Sequence, residues 1–161
     1  MRQLDDTDCK ILRILQQDAR QELSVIARQV FRSPSSVGER IRKLQEEGII
    51  KRYIAIIDPK KIGQHLLAVT HVSLSVHTKE TLNEFQRIAE GLPEVQLCLH
   101  LSGACDFILH IAVADTQTYY QVLMEKICSH AYVSHVDTSF VLNECKTHAP
   151  YIVDEHIAKQ E

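Results

Sequence analysis

The chain has 161 residues, 45% of them hydrophobic and 24% charged, with a net charge of −3. That profile belongs to a folded protein of one medium or two small domains and excludes disordered and fibrous classes. No apolar run approaches the roughly 18 residues of a membrane span, and the start Met1-Arg2-Gln3-Leu4-Asp5-Asp6 lacks the apolar core of a signal peptide. A cytoplasmic protein without a membrane partner is therefore expected. The five cysteines (Cys9, Cys98, Cys105, Cys128, Cys145) show no Cys-x-x-Cys spacing, which suits small core residues in a reducing compartment.

Charge is unevenly spread. Residues 1–60 hold 12 Lys/Arg against 9 Asp/Glu, whereas residues 61–161 hold 6 against 12. Residues 28–61 alone hold 9 against 4. A basic N-terminal third on an acidic whole points to an anionic partner for that third.

In chain order, Asp5 or Asp6 can cap a first helix with Ile11, Leu12 and Leu15 facing inward. A second short helix from about Ser24 carries Ile26, Ala27 and Val30 on one side, with Leu23 ahead of it. After a turn at Phe31-Arg32, Ser33 offers an N-cap and Pro34 takes the first helical position. Val37, Ile41 and Leu44 repeat at helical spacing, and Gly48 supplies a left-handed turn after the helix. The outward face holds Ser35, Ser36, Glu39, Arg40 and Lys43. Two short helices joined by about three residues, the second basic outside, form a helix-turn-helix signature. Lys51 to Ile57 reads as a strand that packs back as a wing. Residues 1–57 are thus read as a winged helix-turn-helix domain, and Pro59 and Gly63 mark a linker at 58–65.

The second module alternates strands and helices over 66–148. Strands are expected at 66–77, 95–102, 106–113 and 133–142, with helices opening at Thr78 and at Asp115 or Thr116. The order is βαββαβ, a ferredoxin-like α+β plan with two helices on one face of a four-stranded antiparallel sheet. The reading places Val95, Leu97, Leu99 and Leu101 together. It places Leu67, Val69, His71, Cys98, His100, Ile108, His110 and Ala112 on the uncovered face. That face is apolar enough to expect a homodimer through this module. The tail at 149–161 lacks an apolar stripe from Pro150 onward and reads as loosely held.

Several segments together resemble the Lrp/AsnC (feast/famine) transcription regulators over about residues 3–148. They are Leu4 to Leu12, Leu23 to Lys43, Gly48-Ile49-Ile50 and Gly103-Ala104-Cys105-Asp106-Phe107-Ile108-Leu109. The resemblance implies a homodimer whose two winged helix-turn-helix units read half-sites of promoter DNA, with dimers able to assemble into octamers. Many members answer to an amino acid. One departure stands in the turn, where the family usually has Gly then Leu and this chain has Phe31 and Arg32. Phe31 must either avoid a positive φ or accept strain there.

By the same resemblance residues 34–47 are the recognition helix. Ser33, Ser35, Ser36, Glu39, Arg40 and Lys43 then approach bases or backbone, with Arg40 the candidate guanine reader. Arg28, Arg32, Arg42, Lys51 and Arg52 are candidates for phosphate contacts. The competing reading pairs Arg40 with Glu39 or Glu47 on a solvated surface. At the sensor end, Gly103 lets the backbone of a tight turn approach a carboxylate, and Asp106 can take an ammonium. The resemblance adds His100, Leu101, Ala104, Thr116, Phe140, Val141 and Leu142 to the pocket. The competing reading makes Asp106 a strand-end residue in a turn hydrogen bond.

No resident cofactor or metal is expected, and no catalytic residue. Two alternatives remain open. His71, Cys98, His100 and His110 on one sheet face would suit a metal-responsive regulator. Sirohaem decarboxylases resemble the same architecture, but such an enzyme has no need of a basic outer face at 34–47.

Overall fold

The structure is a computed structural model and describes residues 4–154. The chain forms two compact units, one of residues up to 56 together with the segment from 146 onward, the other Ile57–Cys145.

The first unit is three helices, α1 (Asp6–Gln17), α2 (Leu23–Val30) and α3 (Pro34–Glu46). Asp5 caps α1 by accepting from Asp8 N, and Asp8 returns the bond to the Asp5 backbone, so two otherwise orphan donors are satisfied reciprocally. Ser33 caps α3 through Ser36 N, with Pro34 following it. Ile11, Leu12, Ile26, Ala27, Val30, Val37 and Leu44 form one buried cluster. Gly48 takes φ 72° after α3, where a Cβ would be strained. Phe31 closes α2 at φ 54°, ψ 50°, and a non-glycine residue there costs on the order of 1–2 kcal/mol.

Two expectations change in this unit. Residues 51–57 form no strand and no helix. A strand exists only with a ladder partner, and the first unit offers none among the described residues. The tail also differs from the expectation of a loosely held segment, at least to residue 154. Gln16 donates from Nε2 to the Tyr151 carbonyl (3.1 Å) and accepts from Tyr151 N (2.7 Å). Arg13 Nε donates to the Val153 carbonyl (2.9 Å), and Val153 packs on the helical core. The remainder of the tail lies outside the described residues.

The second unit runs β1 (Leu66–Leu74), α4 (Lys79–Gly91), β2 (Val95–His100), β3 (Phe107–Val113), α5 (Thr116–Gln121), β4 (Val133–Phe140), with a 3-10 turn at Pro59–Ile62 before β1. The sheet order is β2-β3-β1-β4 and every pairing is antiparallel. Thr78 and Asp115 cap α4 and α5. A π-helical turn, Val122–Ile127, extends α5. Its wider turn lets residues five apart share a side, so Val122 and Ile127 are both buried. These helices and the inner sheet face enclose one core, including Ala68, Val72, Phe85, Phe107, Leu109, Ile111 and Tyr119. The Tyr119 hydroxyl satisfies itself inside it, bonding Thr70 Oγ1 (2.9 Å) and Thr138 Oγ1 (2.6 Å).

The faces of β2 differ from the sequence expectation. The register shifts between Val95 and Leu97, and a bulge of one residue reverses every later side chain. Cys98 therefore pairs with Leu109 and His100 with Phe107 on the inner side, with the His100 ring stacked on Phe107 at 4.8 Å. Leu97 and Leu99 turn outward instead and are 39% and 43% exposed.

Candidate functional sites

The first candidate site is the outer surface around α3. Cores on one side of α2 and α3 leave Arg28, Arg32, Ser35, Glu39, Arg42 and Lys43 exposed, with Lys51 and Arg52 exposed beyond the helix. Arg42 pairs with Glu46 (2.7 Å) and Lys43 with Glu39 (3.2 Å), both one turn apart on an exposed face. Pairs of that kind contribute a few tenths of a kcal/mol and exchange readily for a stronger anion. Ser33 Oγ is engaged as the cap and lies 3.1 Å from Ser35 Oγ.

Arg40 departs from the guanine-reader expectation. Its Nη1 donates to Asp5 Oδ2 and to Asp8 Oδ1, both at 2.7 Å. These two hydrogen bonds raise the guanidinium pKa above its ordinary value. The guanidinium ties α3 to the capping box of α1, and a carboxylate pair at that range is a stronger partner than a base edge. The competing expectation of Glu39 or Glu47 as its partner is not what the structure shows either. Asp5 and Asp8 lie some 35 residues away in sequence, and no local spacing announces them.

The second candidate site is split. Gly103 and Ala104 lie in the turn ahead of β3, and Asp106 sits at the start of that strand. Thr116 follows its far end. Phe140 pairs with Ala68 and Val141 N donates to the Leu67 carbonyl (2.8 Å), next to Ala112 and Val113 at that same far end. The seven-residue span of β3 separates the groups by roughly 20 Å. His100, Leu101, Gly103, Ala104 and Asp106 are thus brought together, and Thr116, Phe140, Val141 and Leu142 are not brought to them within one protomer. The strand directions produce this division, because β2 runs antiparallel to β3 and ends beside its start, whereas β4 runs the same way as β3 and ends beside its end.

At the near end, Asp106 Oδ2 accepts from Leu74 N (2.7 Å), and its Oδ1 stands 3.0 Å from His77 Nε2. The carboxylate closes β1 at Leu74, shorter than the expected strand, and keeps 16% of its side chain exposed. Within the turn, Leu101 N donates to the Asp106 carbonyl. The N–H groups of Ser102, Gly103, Ala104 and Cys105 have no partner among the described residues. At the far end, a cleft of about 440 Å³ is lined by Lys60, Gln64, His65, Leu67, Val141 and Leu142 among others. Gln64 Oε1 is buried there without a hydrogen-bond partner among the described residues.

The histidine cluster does not form. The β2 bulge sends Cys98 and His100 to the helix side, while His71 and His110 lie on the outer face. Among the described residues no group of three metal-ligating side chains converges. No helix among them is long and apolar enough to cross a membrane.

A capped, basic-faced third helix on a three-helix core, followed by a βαββαβ unit, defines the class of DNA-binding transcriptional regulators with a separate ligand-binding domain. Residues 4–51 match the winged helix-turn-helix DNA-binding family and residues 67–151 the Lrp/AsnC ligand binding domain. The chain belongs to the Lrp/AsnC family. It is 34% identical over 152 residues to the transcriptional regulator AzlB of Bacillus subtilis, covering 94% of this chain and 97% of that one. It is 33% identical over 143 residues to the proline dehydrogenase transcriptional activator of Rhizobium radiobacter, covering 89% and 92%. Among solved structures, a Neisseria meningitidis transcriptional regulator in complex with L-Met superposes with a TM-score of 0.86 at 30% identity, covering 92% of this chain and 96% of that one. The matched families and these relatives are transcriptional regulators rather than enzymes.

Proposed function

We propose that this regulator works as a homodimer, places two copies of α3 on promoter half-sites, and answers to an amino acid held at the Ser102–Asp106 turn. The observation that carries the DNA half is the exposed set of Arg28, Arg32, Ser35, Arg42, Lys43, Lys51 and Arg52 around a capped helix, with half-buried Ser36 and exposed Glu39 beside them. Arg40 is withdrawn from this set, because Asp5 and Asp8 hold it. Arg28, Arg32, Arg42, Lys51 and Arg52 position the protein on phosphates, and Ser35, Ser36 and Lys43 approach base edges.

Each phosphate contact contributes about 0.9 to the slope of log affinity against log salt. Titration of a duplex selected by the protein from a random pool, at several salt concentrations, measures that slope. Lys51→Ala/Arg52→Ala removes four cations per dimer, and the slope should fall by roughly 3–4. An unchanged slope refutes the phosphate role of this pair.

The sensor half rests on four turn amides that have no partner among the described residues, beside a carboxylate. Such amides suit the effector's carboxylate, and Asp106 suits its ammonium. His77 already stands against Asp106, so an incoming ammonium competes with it. A relative's complex with L-Met supports an amino acid as the ligand class. Thermal-shift screening of the standard amino acids, with Asp106→Asn as control, tests this. A stabilising amino acid whose effect vanishes in Asp106→Asn supports the reading. No shift with any amino acid sinks it.

A further inference from the structure

At Phe31 the backbone and the side chain disagree. The residue ends α2 in the left-handed region, at φ 54° and ψ 50°, where a bulky side chain is strained. Its backbone does what a glycine would do there. Its N–H closes on the Ala27 and Arg28 carbonyls, and Arg32 N follows with a 3.0 Å bond to the Ala27 carbonyl. Nothing in that pattern needs a ring. The residue is 87% exposed and its ring stacks on no other ring among the described residues. Burial therefore does not offset the strain, and water does not favour the ring either.

The position gives the missing partner. Phe31 lies two residues before the Ser33 cap of α3, between exposed Arg28 and Arg32. Strain retained at an exposed residue points to function. We propose that Phe31 is a DNA-contacting specificity residue, its ring packing on the C5-methyl of a thymine at the edge of the half-site. Thymine is the base that offers an apolar group in the major groove, and a phenyl ring is among the side chains that read it. The inference rests on the proposed use of α3 as the DNA-facing helix.

The test uses the full chain and a duplex selected by the wild-type protein from a random pool. Phe31→Asn keeps a residue that tolerates the left-handed turn but removes the ring. Phe31→Gly removes both ring and Cβ, and Phe31→Tyr keeps an aromatic ring. The Asn and Gly variants should melt at or above the wild-type temperature and bind the duplex at least about fivefold more weakly, the low end of the discrimination a direct base contact supplies. The Tyr variant should bind within about twofold of wild type. Repeating the titrations on the same duplex with deoxyuridine in place of thymine, one position at a time, should abolish the difference between wild type and Phe31→Asn at one position per half-site. Unchanged affinity of Phe31→Asn overturns the proposal, as does a loss that is the same on every deoxyuridine duplex. A fall of several degrees in the melting temperature of Phe31→Asn also overturns it, since the ring would then be holding the fold. If the wild type selects no duplex at all, the DNA-facing role of α3 fails first, a result distinct from these.

Discussion

Asp8 is fully shielded from solvent, and a carboxylate in that position needs strong donors. Arg40 supplies one, and shares the same nitrogen with Asp5. A hydrogen bond to a charged group contributes about 1.5–3 kcal/mol, and Arg40→Ala removes two of them while a carboxylate stays buried. Chemical denaturation should show the variant less stable by roughly 2–4 kcal/mol. Its DNA affinity, measured well below the unfolding transition, should change little. A stable Arg40→Ala variant with lost DNA binding would return Arg40 to base reading. Glu94 gives a pH handle in the other unit. Burial raises its pKa, but hydrogen bonds from Lys126 (2.7 Å) and from backbone outweigh that, and the net direction is downward. A carboxyl depressed in the folded state stabilises above its ordinary range, and the contribution disappears as pH falls through the folded value. The gap in melting temperature between wild type and Glu94→Gln should therefore be present near neutrality and close progressively below the ordinary carboxyl value of 4.5. A gap that persists to strongly acid pH contradicts this.

At the scale of elements, the tail tests how far a short extended segment can hold a helical unit. Its bonds to Gln16 and Arg13 are partly solvated, so each adds little, and the apolar anchor is Val153. Val153→Asp exchanges that anchor for a charge against the core of Ile11, Leu12 and Leu44. Loss of a partly buried valine and insertion of a charge should destabilise the first unit by about 1–3 kcal/mol. Hydrogen exchange of α1 amides reads this locally, and unchanged protection would mean that the tail is not held there. The sequence carried the helices and strands because each is a local pattern with its own stop signals, as at Ser33-Pro34 and Gly48 or at Asp115. It did not carry the features that depend on partners distant in the chain. The tail has no amphipathic period, since its binding uses backbone groups of Tyr151 and Val153 and one apolar side chain, Val153. The wing needs a second strand, and the first unit offers none among the described residues. The β2 bulge is invisible because Val95, Leu97, Leu99 and Leu101 alternate without interruption, and only pairing with β3 shows that Gln96 is the extra residue. The sequence singles out Asp106 in its turn, but His77 and Leu74, which hold it, come from another loop and strand.

At the scale of the whole molecule the proposed homodimer turns on the outer face of the sheet. The bulge enlarges it, because Leu97 and Leu99 join Leu67, Val69, Ile108 and Ala112 there. Across β2, β3 and β1 the rows run Leu99, Ile108, His71 and Leu97, His110, Val69. The β4 edge of that face is polar, with Asp137 opposite His71 and Ser139 opposite Val69. An apolar centre bordered by a polar edge is the anatomy of a protein interface. In the proposed homodimer such a face, shared by identical chains, is covered by two-fold pairing. Two chains then present two helix-turn-helix units, which doubles the phosphate contacts available to one complex. Leu97→Lys and Ile108→Asp place charges in the apolar centre while leaving the inner core of Phe107, Leu109 and Ile111 untouched. Light scattering should give a multiple of the 18.4 kDa chain for wild type and the single-chain mass for the double variant. Affinity for a two-half-site duplex should then fall by at least about 100-fold, as the second half-site loses the effective concentration that tethering supplies. A half-site duplex, which engages one helix-turn-helix unit, should bind both proteins alike. A double variant that keeps the wild-type mass would move the interface away from this face and leave its apolar centre to another partner.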